Sequence, residues 1–196
     1  AGVGAHVREI TARAMNGELD FEGALTERVA LLRGLEESVI EEVLAARITQ
    51  MPGGAALVAT MRAAGAHTLL VSGGFTAFAG PVAEAIGFHE ARANLLESEG
   101  GRLTGTVARP ILGRDAKVRA LEETAARLGI PESEVLAVGD GANDLGMLER
   151  AGLGVALHAK PSVQARCEIR VNHGDLTALL YLQGYARDEF AEPRTR

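Results

Sequence analysis

Val135-Leu136-Ala137-Val138-Gly139-Asp140-Gly141-Ala142-Asn143-Asp144 is the stretch from which the rest of the chain is best read. Its first four residues are apolar, as in a strand buried on both faces of a parallel sheet. The run breaks at Gly139, and two carboxylates and an amide then crowd into the turn before a helix. In an open α/β sheet, ligands sit in the crevice beyond the carboxyl ends of the strands. Asp140 leaves the strand at that point, and a carboxylate there suits a hard cation such as Mg2+. Gly141 lets the backbone approach a ligand with no side chain in the way. The plainer alternative is a strand-to-helix turn with Asn143 or Asp144 as the helix N-cap.

Around this stretch the chain alternates helix and strand. A helix is predicted over 55–64 and closed by Gly65, then a strand over 68–71 that breaks at Ser72-Gly73-Gly74. A helix follows over 75–86, with Pro81 as a second candidate for its start. Residues 89–97 and 103–107 flank Gly100-Gly101 and read as a hairpin. Further helices are predicted over 115–128, 145–150, 161–167 and 176–185, with strands over 135–138, 154–157 and 169–171. The polar tail from Glu189 is expected to fray. This order implies a Rossmann-like, doubly wound, mostly parallel α/β sheet with right-handed crossovers. The two strand-end sites, 72–74 and 140–144, should then converge on one crevice.

Residues 5–50 differ in rhythm, with three helices and no strand. Asp20 is placed to cap a helix over 21–33 whose Phe21, Leu25, Val29 and Leu32 share a face. A third helix over 36–48 is expected to bury Val39, Val43 and Leu44. Pro52-Gly53-Gly54 then punctuates the chain, which divides it into a small helical cap over 1–51 and an α/β core over 52–196.

A chain of 196 residues with 47% hydrophobic and 23% charged residues supports a packed core. Its net charge of -6 argues against nucleic acid or an anionic membrane as partner, so an anionic substrate needs positive charge concentrated locally. The single Cys167 rules out an internal disulfide and suits a reducing, cytoplasmic setting. No apolar run reaches the roughly 20 residues that span a bilayer. Only Lys117 and Lys160 are lysines in a chain that otherwise uses arginine.

Three features point to phosphate. The Ser72-Gly73-Gly74 hydroxyl and amides are suited to anionic oxygens, although a plain Ser/Gly connection would look the same. Lys117 stands near the start of a helix, where a solvated surface lysine is the ordinary alternative. Asp140, Asn143 and Asp144 supply the cation-binding and amide groups. Other phosphate chemistries lack their residues: the position six after Cys167 is His173, not Arg, and neither lysine follows a glycine.

Taken in order, Ser72-Gly73-Gly74-Phe75, Lys117 and Gly139-Asp140-Gly141-Ala142-Asn143-Asp144 resemble the second, third and fourth motifs of haloacid-dehalogenase-type phosphatases. Ala14 to Phe21 with Arg28 to Leu32 resemble the cap of the phosphoserine phosphatase branch, and so does the closing segment Asp175 to Tyr185. The resemblance implies a haloacid-dehalogenase-like core with a helical-bundle cap and Mg2+-dependent hydrolysis of O-phosphoserine, the last step of serine biosynthesis, through an aspartyl-phosphate. It further implies that Ser72 and Gly73 bind the phosphoryl oxygens and that Lys117 neutralises them. Asp140 would be the metal ligand, Asn143 would bind substrate, and Asp144 would support Lys117 or the metal's waters. Arg28 would pair with the substrate carboxylate, while Met15 and Phe21 close over the site about a turn at Gly17. For Met15 and Phe21, packing between cap helices is the alternative. A homodimer is carried as an expectation.

One motif of that family has no counterpart. Its first motif, D-x-D-x-[TV], is absent, since the aspartates are Asp20, Asp115, Asp140, Asp144, Asp175 and Asp188. The nucleophile and general acid are therefore expected upstream of residue 1, on a central strand whose loss would leave two strand edges unpaired. A phosphotransferase passing the group to homoserine, or a non-catalytic fragment, would fit the same residues.

Overall fold

The computed structural model describes residues 2–15 and 18–193. Three helices lead: α1 (Gly4–Met15), α2 (Phe21–Ala30) and α3 (Ser38–Arg47). Asp20 caps α2, its Oδ1 accepting from the Gly23 N–H at 2.7 Å. Leu25 and Val29 of α2 pack with Ile111 against Phe75, Leu96 and Val107, which seats this helix on the α/β part of the chain.

The α/β part contains α4 (Gly54–Ala63), β1 (Leu69–Phe75), α5 (Thr76–Ile86), β2 (Glu90–Asn94), β3 (Leu96–Glu99), β4 (Arg102–Val107), α6 (Arg114–Leu128), β5 (Leu136–Gly139), α7 (Leu145–Arg150), β6 (Leu153–Leu157), α8 (Pro161–Gln164), β7 (Ile169–Val171) and α9 (Ala178–Leu182). β1 pairs with β2 in parallel, and β5, β6 and β7 form a second parallel sheet in that order. β3 and β4 form an antiparallel hairpin. Among the described residues β1 pairs only with β2 and β5 only with β6, so each has one edge without a ladder partner. The fold is the α/β class with parallel strands that the alternation implies.

β6 is the centre of the core. Val155 and Ala156 are fully buried, on opposite faces as the strand period of two requires, and head separate apolar clusters. Ala156 packs with Leu121, Leu148 and Val163. Val155 packs with Leu157, Val171 and Leu179.

Several expectations need correction. The strand does not break at Ser72-Gly73-Gly74: β1 runs through to Phe75 and the three residues form an irregularity in its pairing with β2, between Val71↔Arg92 and Phe75↔Asn94. The helix after it starts at Thr76 and carries Pro81 inside it, not at its start. The first arm of the expected hairpin divides. Residues 90–94 join β1, with Asn94 as the last paired residue opposite Phe75, and only 96–99 pair with β4.

α2 stops at Ala30 and does not reach Arg33. The backbone beyond it is claimed by β4, with Gly34 N–H donating to the Leu103 carbonyl and Leu103 N–H to Leu35, both at 2.8 Å. Gly34 takes φ +81°, a left-handed conformation that costs glycine little. In α3 no residue is fully buried, contrary to expectation for Val39, Val43 and Leu44. Val39 and Val43 instead line a cavity of about 180 Å3 with Leu32, Phe75, Phe78 and Leu103. α8 and α9 are shorter than expected. The tail is pinned as far as Ala191, whose N–H donates to Thr60 Oγ1 at 2.9 Å, while Phe190 packs on Tyr181 and under Arg187.

Candidate active site

β5 ends at Gly139, and the turn to α7 wraps around one carboxylate. Asp144 Oδ2 accepts the N–H groups of Asp140 at 3.0 Å and Gly141 at 2.9 Å, and its Oδ1 accepts from the Lys117 ammonium in a close ion pair. Asn143 Nδ2 lies 3.5 Å from the same Oδ1. Asp144 is buried and Lys117 nearly so, with side-chain exposures of 4% and 13%. Gly139 is required by this arrangement, since a Cβ there would come within 2.5 Å of Asp144 Cβ. Asp144 does stand at the N-cap of α7, but its carboxylate makes no capping bond to that helix. The plain capping alternative therefore fails for Asp144.

Asp140 is exposed, and no protein group among the described residues bonds its carboxylate. Its backbone is fixed at both ends, the N–H by Asp144 and the carbonyl by Lys160 N–H at 3.1 Å. An exposed carboxylate on a fixed backbone at a strand end, with no protein partner among the described residues, could serve a hard cation. No group of three His, Cys, Asp or Glu side chains that could hold a metal occurs among the described residues. Mg2+ fits such a one-sided site, because it keeps several waters and binds through one or two carboxylates plus phosphate oxygens.

The other side of the site is the irregular part of β1. Ser72 Oγ accepts from Gly74 N–H at 3.0 Å, which leaves the hydroxyl hydrogen free to donate outward. Phe21 lies over this segment: a Cβ on Gly73 would meet its ring at 3.4 Å and one on Gly113 at 3.5 Å. The first residue of α2 thus covers both the 72–74 segment and the residue before α6. Phe21 is 38% exposed.

The N-terminal end of α6 joins the two halves. Gly113 precedes it without a side-chain cap, so the first-turn N–H groups add positive potential. Lys117, one turn on, reaches Asp144. Arg28 of α2 is half-buried, with Nε donating to its own helix at Ala24 O, 3.0 Å, and its two Nη groups unpaired among the described residues. Gly17 and the side chain of Met15 lie outside the described residues.

Asn94 was not anticipated. It is 2% exposed and bonds both Gly73 O and the backbone of Leu112. Nothing in the local pattern marks it, because its partners lie 18 and 21 residues away and are backbone atoms.

Through Phe21 and Asn94 the 72–74 segment is tied to the approach to α6, whose Lys117 in turn pairs with Asp144 next to the exposed Asp140. The chain belongs to the haloacid dehalogenase-like hydrolase family, whose model matches residues 4–149. Within that class it is 47% identical over 189 residues to a phosphoserine phosphatase of Streptomyces coelicolor, covering 96% of this chain and 46% of that protein. To the phosphoserine phosphatase of Streptococcus thermophilus it is 46% identical over 176 residues, 90% of this chain and 81% of that one. A crystal structure of a probable phosphoserine phosphatase from Vibrio cholerae superposes with a TM-score of 0.88 at 39% identity, over 93% of this chain and 56% of that one. The chain spans about half the length of several curated relatives that it matches, 46% for the Streptomyces protein. Among the described residues no helix is long and apolar enough to cross a membrane.

Proposed function

We propose that these residues form the phosphate- and metal-binding side of a Mg2+-dependent phosphatase that hydrolyses O-phosphoserine to serine and phosphate. The observation that carries this is the buried Lys117–Asp144 pair beside the unpartnered Asp140 carboxylate. It is supported by relatives named phosphoserine phosphatase, one of which this chain covers over four-fifths of its length. Free serine as product and a cytoplasmic setting go with the same reading.

In the proposed reaction a carboxylate oxygen attacks phosphorus, the P–O bond to the serine oxygen breaks, and that oxygen takes up a proton. Water then hydrolyses the resulting aspartyl-phosphate. The attacking carboxylate and proton donor are assigned outside residues 1–196, which carry no D-x-D pair. Mg2+ bound through Asp140 would neutralise charge on the phosphoryl oxygens. Lys117 supplies a second positive charge in a nearly dry setting, where it acts more strongly than in water. Ser72 and the Gly73 and Gly74 backbone orient the same group. Arg28, with its fork free, is assigned the substrate carboxylate. Phe21 excludes water above Gly73.

The test is phosphate release from O-phosphoserine with Mg2+ by the intact protein, with and without homoserine. Release that is independent of homoserine is the expected result, and transfer to homoserine would identify a phosphotransferase instead. Asp140→Asn should abolish release, a drop of roughly 10²-fold or more, with an unchanged circular dichroism spectrum. Full activity in that variant would remove Asp140 from the metal site.

A further inference from the structure

We infer that Asn94 is a positioning residue: its side-chain amide sets the orientation of the Gly73–Gly74 peptide, and through it Ser72, relative to the start of α6. This rests on the phosphate-binding role proposed for the 72–74 segment. Three bonds define the geometry. Asn94 Nδ2 donates to Gly73 O at 3.1 Å and approaches Leu112 O at 3.5 Å, while Oδ1 accepts from Leu112 N–H at 2.7 Å. Leu112 N–H requires an oxygen opposite it, so the amide orientation is fixed by its partners.

The consequence follows from peptide planarity. Gly73 C=O and Gly74 N–H belong to one rigid peptide unit and point in opposite directions. Asn94 holds the carbonyl end, and the N–H end then donates to Ser72 Oγ at 3.0 Å. The Ser72 hydroxyl is thereby left with its hydrogen available and its oxygen aimed. The β1–β2 ladder cannot supply this control, because pairing is interrupted between Val71 and Phe75. Flanking glycines would otherwise let the peptide rotate at little cost. The Leu112 end of the same side chain fixes the approach to α6, two residues before Arg114 and five before Lys117. One buried amide therefore couples the hydroxyl side of the site to its ammonium side.

The direct test is Asn94→Asp, which keeps the acceptor for Leu112 N–H but turns a carboxylate oxygen toward Gly73 O. Asn94→Ala serves as a second variant, and Arg92→Ala as a control that loosens β2 from α6 outside the site by removing the bonds to Glu123 and Thr124. With O-phosphoserine and Mg2+, kcat should fall roughly 10- to 100-fold in both Asn94 variants, as for a misplacement near 1 Å, and KM should rise alongside the loss of phosphate affinity. Arg92→Ala should lower Tm with kcat retained. A second readout is inorganic phosphate titrated against the Ser72, Gly73 and Gly74 amide resonances, where the Asn94 variants should bind at least about 10-fold more weakly than wild type. If wild type hydrolyses nothing yet shows this phosphate difference, the substrate reading fails and the positioning role stands. Folded Asn94 variants with wild-type kcat, or with wild-type phosphate affinity, overturn the positioning role. A wild type that neither hydrolyses the ester nor binds phosphate overturns both.

Discussion

Asp144 serves four donors with two oxygens: the backbone amides of Asp140 and Gly141, the ammonium of Lys117 and, at 3.5 Å, the side-chain amide of Asn143. Its removal would leave a nearly buried cation and two backbone N–H groups without acceptors. Asp144→Ala is therefore expected to cost about 3–5 kcal/mol in urea unfolding, the range for breaking one side of a buried pair. Asp144→Asn, which retains an oxygen for the amides, should cost clearly less. Equal losses would mean that the charge contributes nothing beyond the hydrogen bonds. At this scale legibility follows sequence distance. Gly139 to Asp144 could be read because the carboxylate, its amides and the required glycine lie within six consecutive positions. Lys117 could be placed only through the order of motifs, 27 residues from its partner. Asn94 offered no signal, since it contacts main-chain atoms that any sequence would supply.

At the scale of elements, β1 and β2 begin with a reciprocal clasp. Thr68 N–H donates to His89 Nδ1 at 3.1 Å, and His89 N–H lies 3.1 Å from both Thr68 O and Thr68 Oγ1. His89 Nδ1 can accept only when it carries no proton. Partial desolvation of the ring, then the nearby Arg62 charge and His67, hold its pKa below the ordinary histidine value. With the folded pKa lowered, the unfolded chain takes up a proton first as pH falls. Stability is then full above the unfolded pKa, near 6.5, and declines below it toward the folded pKa. Unfolding free energy should therefore drop in wild type as pH falls below about 6.5. His89→Asn, whose Oδ1 still accepts but does not titrate, should flatten that part of the profile. An unchanged slope would assign the pH response to other groups. Element types were mostly legible here because apolar period and terminal glycines mark helices and strands, as at Gly65, φ +83°, and Gly129, φ +68°. Pairing was not. Ser72-Gly73-Gly74 looks like a strand end in one dimension, and only the neighbouring strand and Asn94 show that β1 passes through it.

Across the whole molecule, cohesion is uneven. β6 has strands on both sides and two residues with no exposure, Val155 and Ala156. α3 has no fully buried residue and overlies a cavity of about 180 Å3. It is tethered at its entry, where Glu37 N–H bonds Gly101 O at 3.0 Å and Arg102 pairs with Glu36 at 2.9 Å. Segments with few buried apolar contacts open locally at low free energy, while central strands open only with the whole protein. α2 is intermediate, because Val29 is 1% exposed and its cluster spans both parts of the chain. α3, with no fully buried residue and a cavity beneath it, is the element expected to open first. Native-state hydrogen exchange should thus release α3 amides first, then α2, and β6 amides last, with protection in β6 tracking global unfolding in denaturant. Filling the cavity with Val43→Phe should slow exchange in α3 selectively, since Val43 shares the cavity's lining with Phe75 and Phe78. Protection in α3 equal to that of β6 would mean that the helix is locked down, and opening would then have to come from the α1–α2 pair that carries Phe21.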